Sequence, residues 1–236
     1  MDMYAFCEIF PPRLEMLESF SLHSFVPTPI EPTLSDLRFP RCPNLKEVSL
    51  MDYCEVDPLN FFRDVDFETV EKLTFGNTGG WMRSDIPCLS RYRNIHTLIL
   101  KDKGAYDLDG EGYGDFGAFT GATLAHLPNL KTLLVIGHIP NYILKSIRAP
   151  DLSSLRLETD EDAHHALDTI PATLLTTPLS ICVSFRPLPT PSWVPLLHLI
   201  VSKAPCLSNL FIAEWMKNAL EAEGWYRKLN VVCHYL

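Results

Sequence analysis

The chain has 236 residues, 47% of them hydrophobic and 21% charged, and a formal net charge of −9. This composition is typical of a globular protein with a sizeable core and excludes a disordered chain. An acidic chain without a basic patch interleaved with aromatic residues lacks the electrostatic footprint of a nucleic-acid binder. Its longest apolar stretch, residues 193–201, is far shorter than the roughly 20 residues that span a bilayer. We therefore expect no nucleic-acid partner and no membrane partner.

Cysteine usage and the amino-terminal residues bear on the cellular compartment. The seven cysteines are odd in number, widely spread and without a Cys-x-x-Cys pair. The first residues are acidic and lack the basic segment with which a signal peptide begins. We therefore expect reduced thiols in an intracellular protein, cytoplasmic or nuclear.

A phrase with apolar residues at positions i, i+3 and i+5 recurs along the chain. Its first residues are Leu17, Leu45, Val70, Ile95, Leu130, Leu152 and Leu207. The intervals between these starts are 28, 25, 25, 35, 22 and 55 residues, and leucine-rich repeats have periods of about 20–29 residues. An alternating segment, residues 179–185, divides the last interval and predicts a degraded repeat there. Residues 231–235 are typical of one more strand.

Proline precedes four of these phrases at position i−2, as Pro43, Pro128, Pro150 and Pro205. Proline fixes its own φ angle and disfavours helix at the residue before it. We expect each proline to end a preceding helix and to direct the chain into the next strand. Four agreements at one register favour a repeat over the alternative architecture, ordinary βα units of a doubly wound sheet.

The predicted fold class is α/β, in the form of a leucine-rich-repeat solenoid. Positions i+3 and i+5 lie on one face of a strand, and stacking the strands in parallel buries that face. The sheet would line the concave side, with helices and irregular loops on the convex side. Helical spacing predicts helices over residues 118–127, 191–203 and 214–223. We expect residues 1–236 to form one irregular domain of about 8–9 repeats.

The Pro-Asn-Leu-Lys phrases at Pro43 and Pro128, together with the irregular unit lengths, resemble the C-terminal repeats of fungal F-box and leucine-rich-repeat proteins. The resemblance covers the chain from Pro12 to Ile212. It implies repeats that hold a protein for ubiquitination, and an N-terminal F-box that binds the Skp adaptor of a cullin ubiquitin ligase. The F-box itself is not visible in this sequence. We therefore expect the chain to be a fragment of such a protein or to lack that segment.

The sequence departs from the family pattern at position i+8, where asparagine or cysteine is expected. The residues found there are Phe25, Tyr53, Thr78, Lys103, His138, Asp160 and Trp215. We expect the side-chain hydrogen bonds between turns to be irregular and the curvature of the stack to be uneven.

Residues at i+2, i+4 and i+6 point away from the core and form the candidate binding face on the concave side. The predicted binding residues are Glu47, Ser49, Lys72, Thr74, Thr97, Ile99, Lys101, Thr132, Leu134, Ile136, Ser154, Arg156, Glu158, Asn209 and Phe211. The centre of this face, Ile99, Leu134 and Ile136, is apolar, and its flanks are charged. An apolar centre with a charged rim is typical of a protein-binding patch.

Two acidic segments have some features of metal sites. Residues 107–115 place carboxylates at EF-hand-like offsets, but position 12 of such a loop is Ala118 instead of glutamate. Residues 160–165 join carboxylates to two adjacent histidines, which would face different directions on a helix. We expect solvated segments at both places, no metal site and no cofactor. Ca²⁺-dependent binding through residues 107–115 is a minor alternative.

No catalytic motif of the nucleophile-elbow, phosphate-loop, dinucleotide or zinc-protease kind occurs, so we expect no enzymatic activity. Four histidines with apolar neighbours are predicted to be partly buried and structural: His96, His126, His138 and His198. The leading hypothesis is a protein–protein interaction module that resembles the substrate-recognition repeats of an F-box ubiquitin-ligase receptor. The alternative is a stand-alone leucine-rich-repeat scaffold with no ligase link.

Overall fold

The structure is a computed structural model that describes ten parts of the chain. These parts are residues 13–23, 40–51, 68–77, 89–102, 125–137, 147–159, 179–185, 202, 206–212 and 232–235.

The described residues contain strands at each of the predicted phrases. The strands are β1 (Ser19–His23), β2 (Glu47–Met51), β3 (Lys72–Asn77), β4 (Thr97–Asp102), β5 (Ala125–His126), β6 (Thr132–Gly137), β7 (Ile147–Arg148), β8 (Ser154–Thr159), β9 (Leu179–Phe185), β10 (Leu207–Ile212) and β11 (Val232–Tyr235). Nine of them form one sheet in the order β1-β2-β3-β4-β6-β8-β9-β10-β11, while β5 pairs with β7 in a second sheet.

The large sheet is parallel throughout, and each strand pairs with the strand of the next phrase along the chain. The first six strands, β1 to β4, β6 and β8, pair without a register shift, and a shift occurs between β9 and β10 at Leu207/Asn209. A doubly wound sheet would reverse its strand order at a switch point, and the described strands show no reversal. Regularly spaced parallel strands in sequence order are consistent with a repeat solenoid.

The core consists of the apolar residues at positions i, i+3 and i+5, as predicted. Leu73, Leu98 and Leu133 are register partners at i+3 on successive strands, and each is 0% exposed. Position i−3 also contributes to the core, which the phrase alone did not indicate. Its buried members are Cys42, Tyr92, Leu127 and Ala149.

A hydrogen-bonded turn precedes the strand in five repeats. In each, the amide at i donates to the carbonyl at i−3, as in Leu45 to Cys42 at 3.2 Å and Leu130 to Leu127 at 3.3 Å. Proline at i−2 therefore occupies the second position of a β-turn, where its fixed φ angle is favourable, and asparagine suits the third. Pro43, Pro128 and Pro150 direct the chain into the strand, as expected from the sequence. At Pro128 and Pro150 the element just before the turn is a short strand, β5 or β7, instead of the expected helix, and Pro205 lies outside the described residues.

One predicted helix, residues 118–127, is wrong at its end. Ala125 and His126 form β5, which pairs in parallel with β7, and Ala125 is 0% exposed. Pro128 accounts for part of this result because it disfavours helix at Leu127. Residues 118–124 lie outside the described residues, as do the other two predicted helices apart from Ser202.

Backbone hydrogen bonds connect each repeat to the next in one recurring arrangement. The Glu18 carbonyl, at i+1, accepts from the amides of Lys46 and Glu47 at 2.8 and 3.0 Å. The same pattern recurs at the carbonyls of Lys46, Glu71, His96 and Lys131. These hydrogen bonds at position i+1 set the register between neighbouring repeats just ahead of the strands.

Side chains at position i−1 form a second connection between repeats. Asn44 Nδ2 and Asn94 Nδ2 each donate to the carbonyl at i−2 of the preceding repeat, at 2.7 and 2.9 Å. Asn129 Nδ2 donates to the Arg93 carbonyl at 3.3 Å and to Asn94 Oδ1 at 3.1 Å. The residues at i+8 lie outside the described residues, and the polar ladder that the structure does show runs before the strands.

Candidate binding face

Strand alternation and register together align the predicted binding residues in rows across the sheet. The row at i+2 reads Ser19, Glu47, Lys72, Thr97, Thr132, Ser154, Ser180 and Asn209. The row at i+4 reads Ser21, Ser49, Thr74, Ile99, Leu134, Arg156, Cys182 and Phe211. The row at i+6 contains Met51, Gly76, Lys101, Ile136 and Glu158. We call the side of the sheet that these three rows form the open face.

All of the predicted binding residues lie on the open face. Glu47 and Arg156 are exposed, whereas Thr74 is buried with 8% of its surface exposed. The other predicted residues are half-buried. Half-buried side chains keep surface available to a partner and are also held by their neighbours, which limits the entropy lost on binding.

The apolar centre of the open face is continuous across two strands. Ile99 of β4 and Leu134 of β6 are register partners, and Ile136 lies two residues beyond Leu134 on the same side of β6. Register partners on one face lie about 5 Å apart, so these three side chains form one patch. Phe211 of β10 lies in the same row as Ile99 and Leu134, beyond Arg156 and Cys182.

Two ion pairs flank this centre. Lys72 Nζ lies 3.2 Å from Glu47 Oε2 on the next strand, and Arg156 Nε lies 2.6 Å from Glu158 Oε1 on its own strand. Exposed pairs of this kind contribute at most about 1 kcal/mol to stability. The two pairs place charges on either side of the apolar centre.

Sequence reasoning missed two open-face residues of β9, Ser180 and Cys182. Cys182 is half-buried between its register partners Arg156 and Phe211. Burial raises the pKa of its thiol, the positive charge of Arg156 lowers it, and the negative charge of Glu158 raises it. The strict alternation of residues 179–185 was the available signal, but the degraded repeat hid the register.

Met51 and Gly76 are unlike the rest of the open face. Met51 is 6% exposed, and a Cβ added at Gly76 would lie 2.7 Å from its Cε and Sδ atoms. The Met51 side chain therefore covers Gly76. At these two positions of the i+6 row, the open face therefore presents the Met51 side chain. Lys101 is the next residue of the row, and its Cβ would lie 3.3 Å from a Cβ added at Gly76.

Four histidines were predicted to be partly buried, and the prediction is wrong for the two that lie among the described residues. His96 and His126 are exposed. They occupy positions i+1 and i−4, which flank the turn on its solvent side, whereas the buried positions are i−3 and i. His138 and His198 lie outside the described residues.

The two acidic segments, residues 107–115 and 160–165, also lie outside the described residues. Among the residues that the structure does describe, no group of three or more histidine, cysteine, aspartate or glutamate side chains is placed to hold a metal ion. The same part of the chain contains no helix with the length and hydropathy required to cross a membrane.

Comparison with known proteins gave no match: no family model, no curated protein and no solved structure is significantly similar to this chain.

Proposed function

We propose that this chain is a leucine-rich-repeat module that binds a protein partner through the open face. The observation that carries the proposal is the apolar centre formed by Ile99, Leu134 and Ile136, which lies between two ion pairs. Protein interfaces combine an apolar centre with a polar rim, and most of the binding energy comes from the centre.

The polar part of the face supports binding to protein rather than to a small apolar ligand. The i+2 row is almost entirely hydroxyl, amide or charged side chains, which can hydrogen-bond to a polypeptide along the whole row. The rows run across parallel strands and form a surface instead of an enclosed cavity, as in other repeat stacks that bind proteins.

A narrower form of the proposal follows from the resemblance to fungal F-box proteins. In that form the partner is a protein to be ubiquitinated, and the full-length gene product also binds the Skp adaptor inside the cell. The alternative is a repeat scaffold with no ligase link. Adaptor binding by the full-length gene product, measured with purified proteins, separates the two: binding supports the ligase receptor, and its absence supports the scaffold.

The test of the open face is a charge introduced at its centre. Ile99→Asp combined with Leu134→Asp places two carboxylates in the apolar patch. The partner is first captured by affinity purification of the full-length gene product, and its binding is then measured with purified proteins. We expect the double variant to bind this partner at least about tenfold more weakly, because burying a carboxylate in an apolar contact is unfavourable.

The matched control is Met16→Asp combined with Ser202→Asp, which adds the same charge at exposed positions outside the strands of the open face. Both double variants should unfold at nearly the same urea concentration as the unsubstituted chain, whereas Leu98→Asp should unfold the chain.

In the purified complex, the partner should slow alkylation of Cys182 and leave the exposed Cys206 reactive; both are free thiols. Equal partner loss in the two double variants, or unprotected Cys182, would contradict the proposal.

A further inference from the structure

A second surface lies at the side of the sheet where the turns precede the strands, at positions i−4 to i+1. We call it the turn edge. In the repeats of β1, β2 and β3 its described residues carry both signs of charge: Arg13, Glu15, Glu18, Arg41, Lys46, Glu68 and Glu71. In the repeats of β4, β6 and β8 positive charge dominates. We call that part the basic edge, formed by Arg91, Arg93, His96, His126, Lys131 and Arg148.

The basic edge is unusual in a chain of net charge −9. Its described segments, residues 89–96, 125–131 and 147–153, contain four arginine or lysine residues and a single carboxylate, Asp151. Arg91 is half-buried, and the other members of the basic edge are exposed. No motif indicates this cluster in the sequence because each repeat supplies only one to three of its members.

The fold holds these side chains close together. His126 and Arg148 are register partners in the small sheet. The His96 carbonyl accepts from the Lys131 amide at 3.0 Å, and Asn129 Nδ2 reaches the Arg93 carbonyl at 3.3 Å. Adjacent strands lie about 4.8 Å apart, so the three repeats place their cations within about 10 Å across the sheet. Like charges at this separation repel one another, and an anionic ligand relieves that repulsion.

We propose that the basic edge binds an acidic polypeptide segment of a partner protein. The charge complementarity specifies an anionic ligand, and the spacing of the repeats suits an extended chain that crosses them. A polypeptide is favoured over a nucleic acid because, among the described residues of these three repeats, the one Phe, Tyr or Trp side chain is Tyr92, which is 4% exposed and offers no surface on which a base could stack. The proposal does not depend on the open face, which comprises different positions of each repeat.

A shallow groove of about 380 Å³ separates the basic edge from the cations of the second repeat. It is lined by Pro43, Asn44, Lys46, Glu68, Thr69, Glu71, Asn94 and His96. The carboxylates of Glu68 and Glu71 make this groove unfavourable for an anion. Arg41 and Lys46 therefore supply a control on the other side of the groove, at positions i−4 and i+1 of the second repeat.

The experiment uses the full chain and a fluorescein-labelled oligoglutamate peptide, with fluorescence anisotropy as the readout. We expect binding at low ionic strength that weakens at about 0.15 M salt, where charges beyond roughly 8 Å are screened. Arg93→Glu combined with Lys131→Glu should weaken binding by at least about tenfold. The control, Arg41→Glu combined with Lys46→Glu, makes the same charge change and should weaken it by no more than about twofold.

Three outcomes would overturn the proposal. One is that the unsubstituted chain does not bind oligoglutamate at low ionic strength, or binds oligoglutamine equally well. Another is an equal loss in the two double variants, which would show diffuse attraction instead of a site. The third is tighter binding of a single-stranded oligonucleotide of matched charge, which would assign the surface to nucleic acid. Loss confined to the Arg93 and Lys131 variant supports it.

Discussion

At the scale of single residues, Gly76 shows how one missing side chain shapes the open face. Alanine is ordinarily a better strand residue than glycine, which loses more conformational freedom on folding. At this position, however, the space next to the Cα atom is occupied by the thioether of Met51. The contact is with the flexible end of the methionine, so the neighbour can move, but only by giving up a nearly complete burial.

The prediction at this scale is a reversal of sign in a double-mutant cycle. Gly76→Ala should destabilise the chain by about 1 kcal/mol because overpacking displaces the Met51 side chain. In a Met51→Ala background the same substitution should be neutral or stabilising, since the obstacle is gone. Urea unfolding of the four proteins measures both effects. Equal costs of Gly76→Ala in the two backgrounds would show that Met51 does not determine the role of this glycine.

At the scale of the element, the turn and the strand after it form the unit that is repeated. The turn is closed by a backbone hydrogen bond from i to i−3, and its asparagine reaches the preceding repeat. Asn94 is central in this ladder because it donates to the Glu68 carbonyl and accepts from Asn129. The ladder connects each of these turns to the preceding repeat at the same position, which helps to keep repeats of unequal length in register.

The prediction for the element concerns Asn94. Asn94→Ala removes both hydrogen bonds of its side chain and should lower the free energy of unfolding by about 1–2 kcal/mol, measured in urea. Asn44→Ala removes the one ladder bond of its side chain, to the Glu15 carbonyl, and should cost about 0.5–1 kcal/mol. If the Asn94 variant were as stable as the unsubstituted chain, the ladder would be a consequence of the packing and not a source of stability.

At the scale of the whole molecule, each inner strand of the large sheet pairs with two neighbours, in the order of the chain. Stability in such a stack is close to a sum over repeats and their interfaces, so strands with two neighbours are held more firmly than those at an end. Among the described strands, β1 and β11 are at the ends of the sheet, and β3, β4 and β6 lie inside the part with unbroken register.

The prediction for the whole molecule is a gradient of hydrogen exchange. Amides of β4 and β6, such as those of Leu98 and Leu133, should exchange last. Amides of β1, such as that of Phe20, should exchange at least about tenfold faster, which corresponds to about 1.4 kcal/mol. Mass spectrometry or NMR resolves the difference. Uniform protection along the sheet would mean that the repeats unfold as one cooperative unit.

The sequence by itself determined the positions of the nine strands of the large sheet and the side of each strand that forms the open face. Both follow from local rules: the i, i+3, i+5 spacing selects the buried side of each strand, and alternation then assigns i+2 and i+4 to the other side. Proline at i−2 marked the turns for the same reason, because its effect on φ acts within one or two residues. The placement of Ile99 and Leu134 on the open face therefore follows from the spacing of residues within each phrase.

The tertiary structure alone decided what lies side by side when repeats stack. The pairing of Lys72 with Glu47, the cover of Gly76 by Met51 and the asparagine ladder all join residues about 25 to 36 positions apart in the chain. The exposure of His96 and the proximity of the basic-edge residues to one another also depend on how the repeats stack. Periodicity fixes what each repeat presents, whereas contacts between repeats depend on the register of the stack, which no single phrase contains.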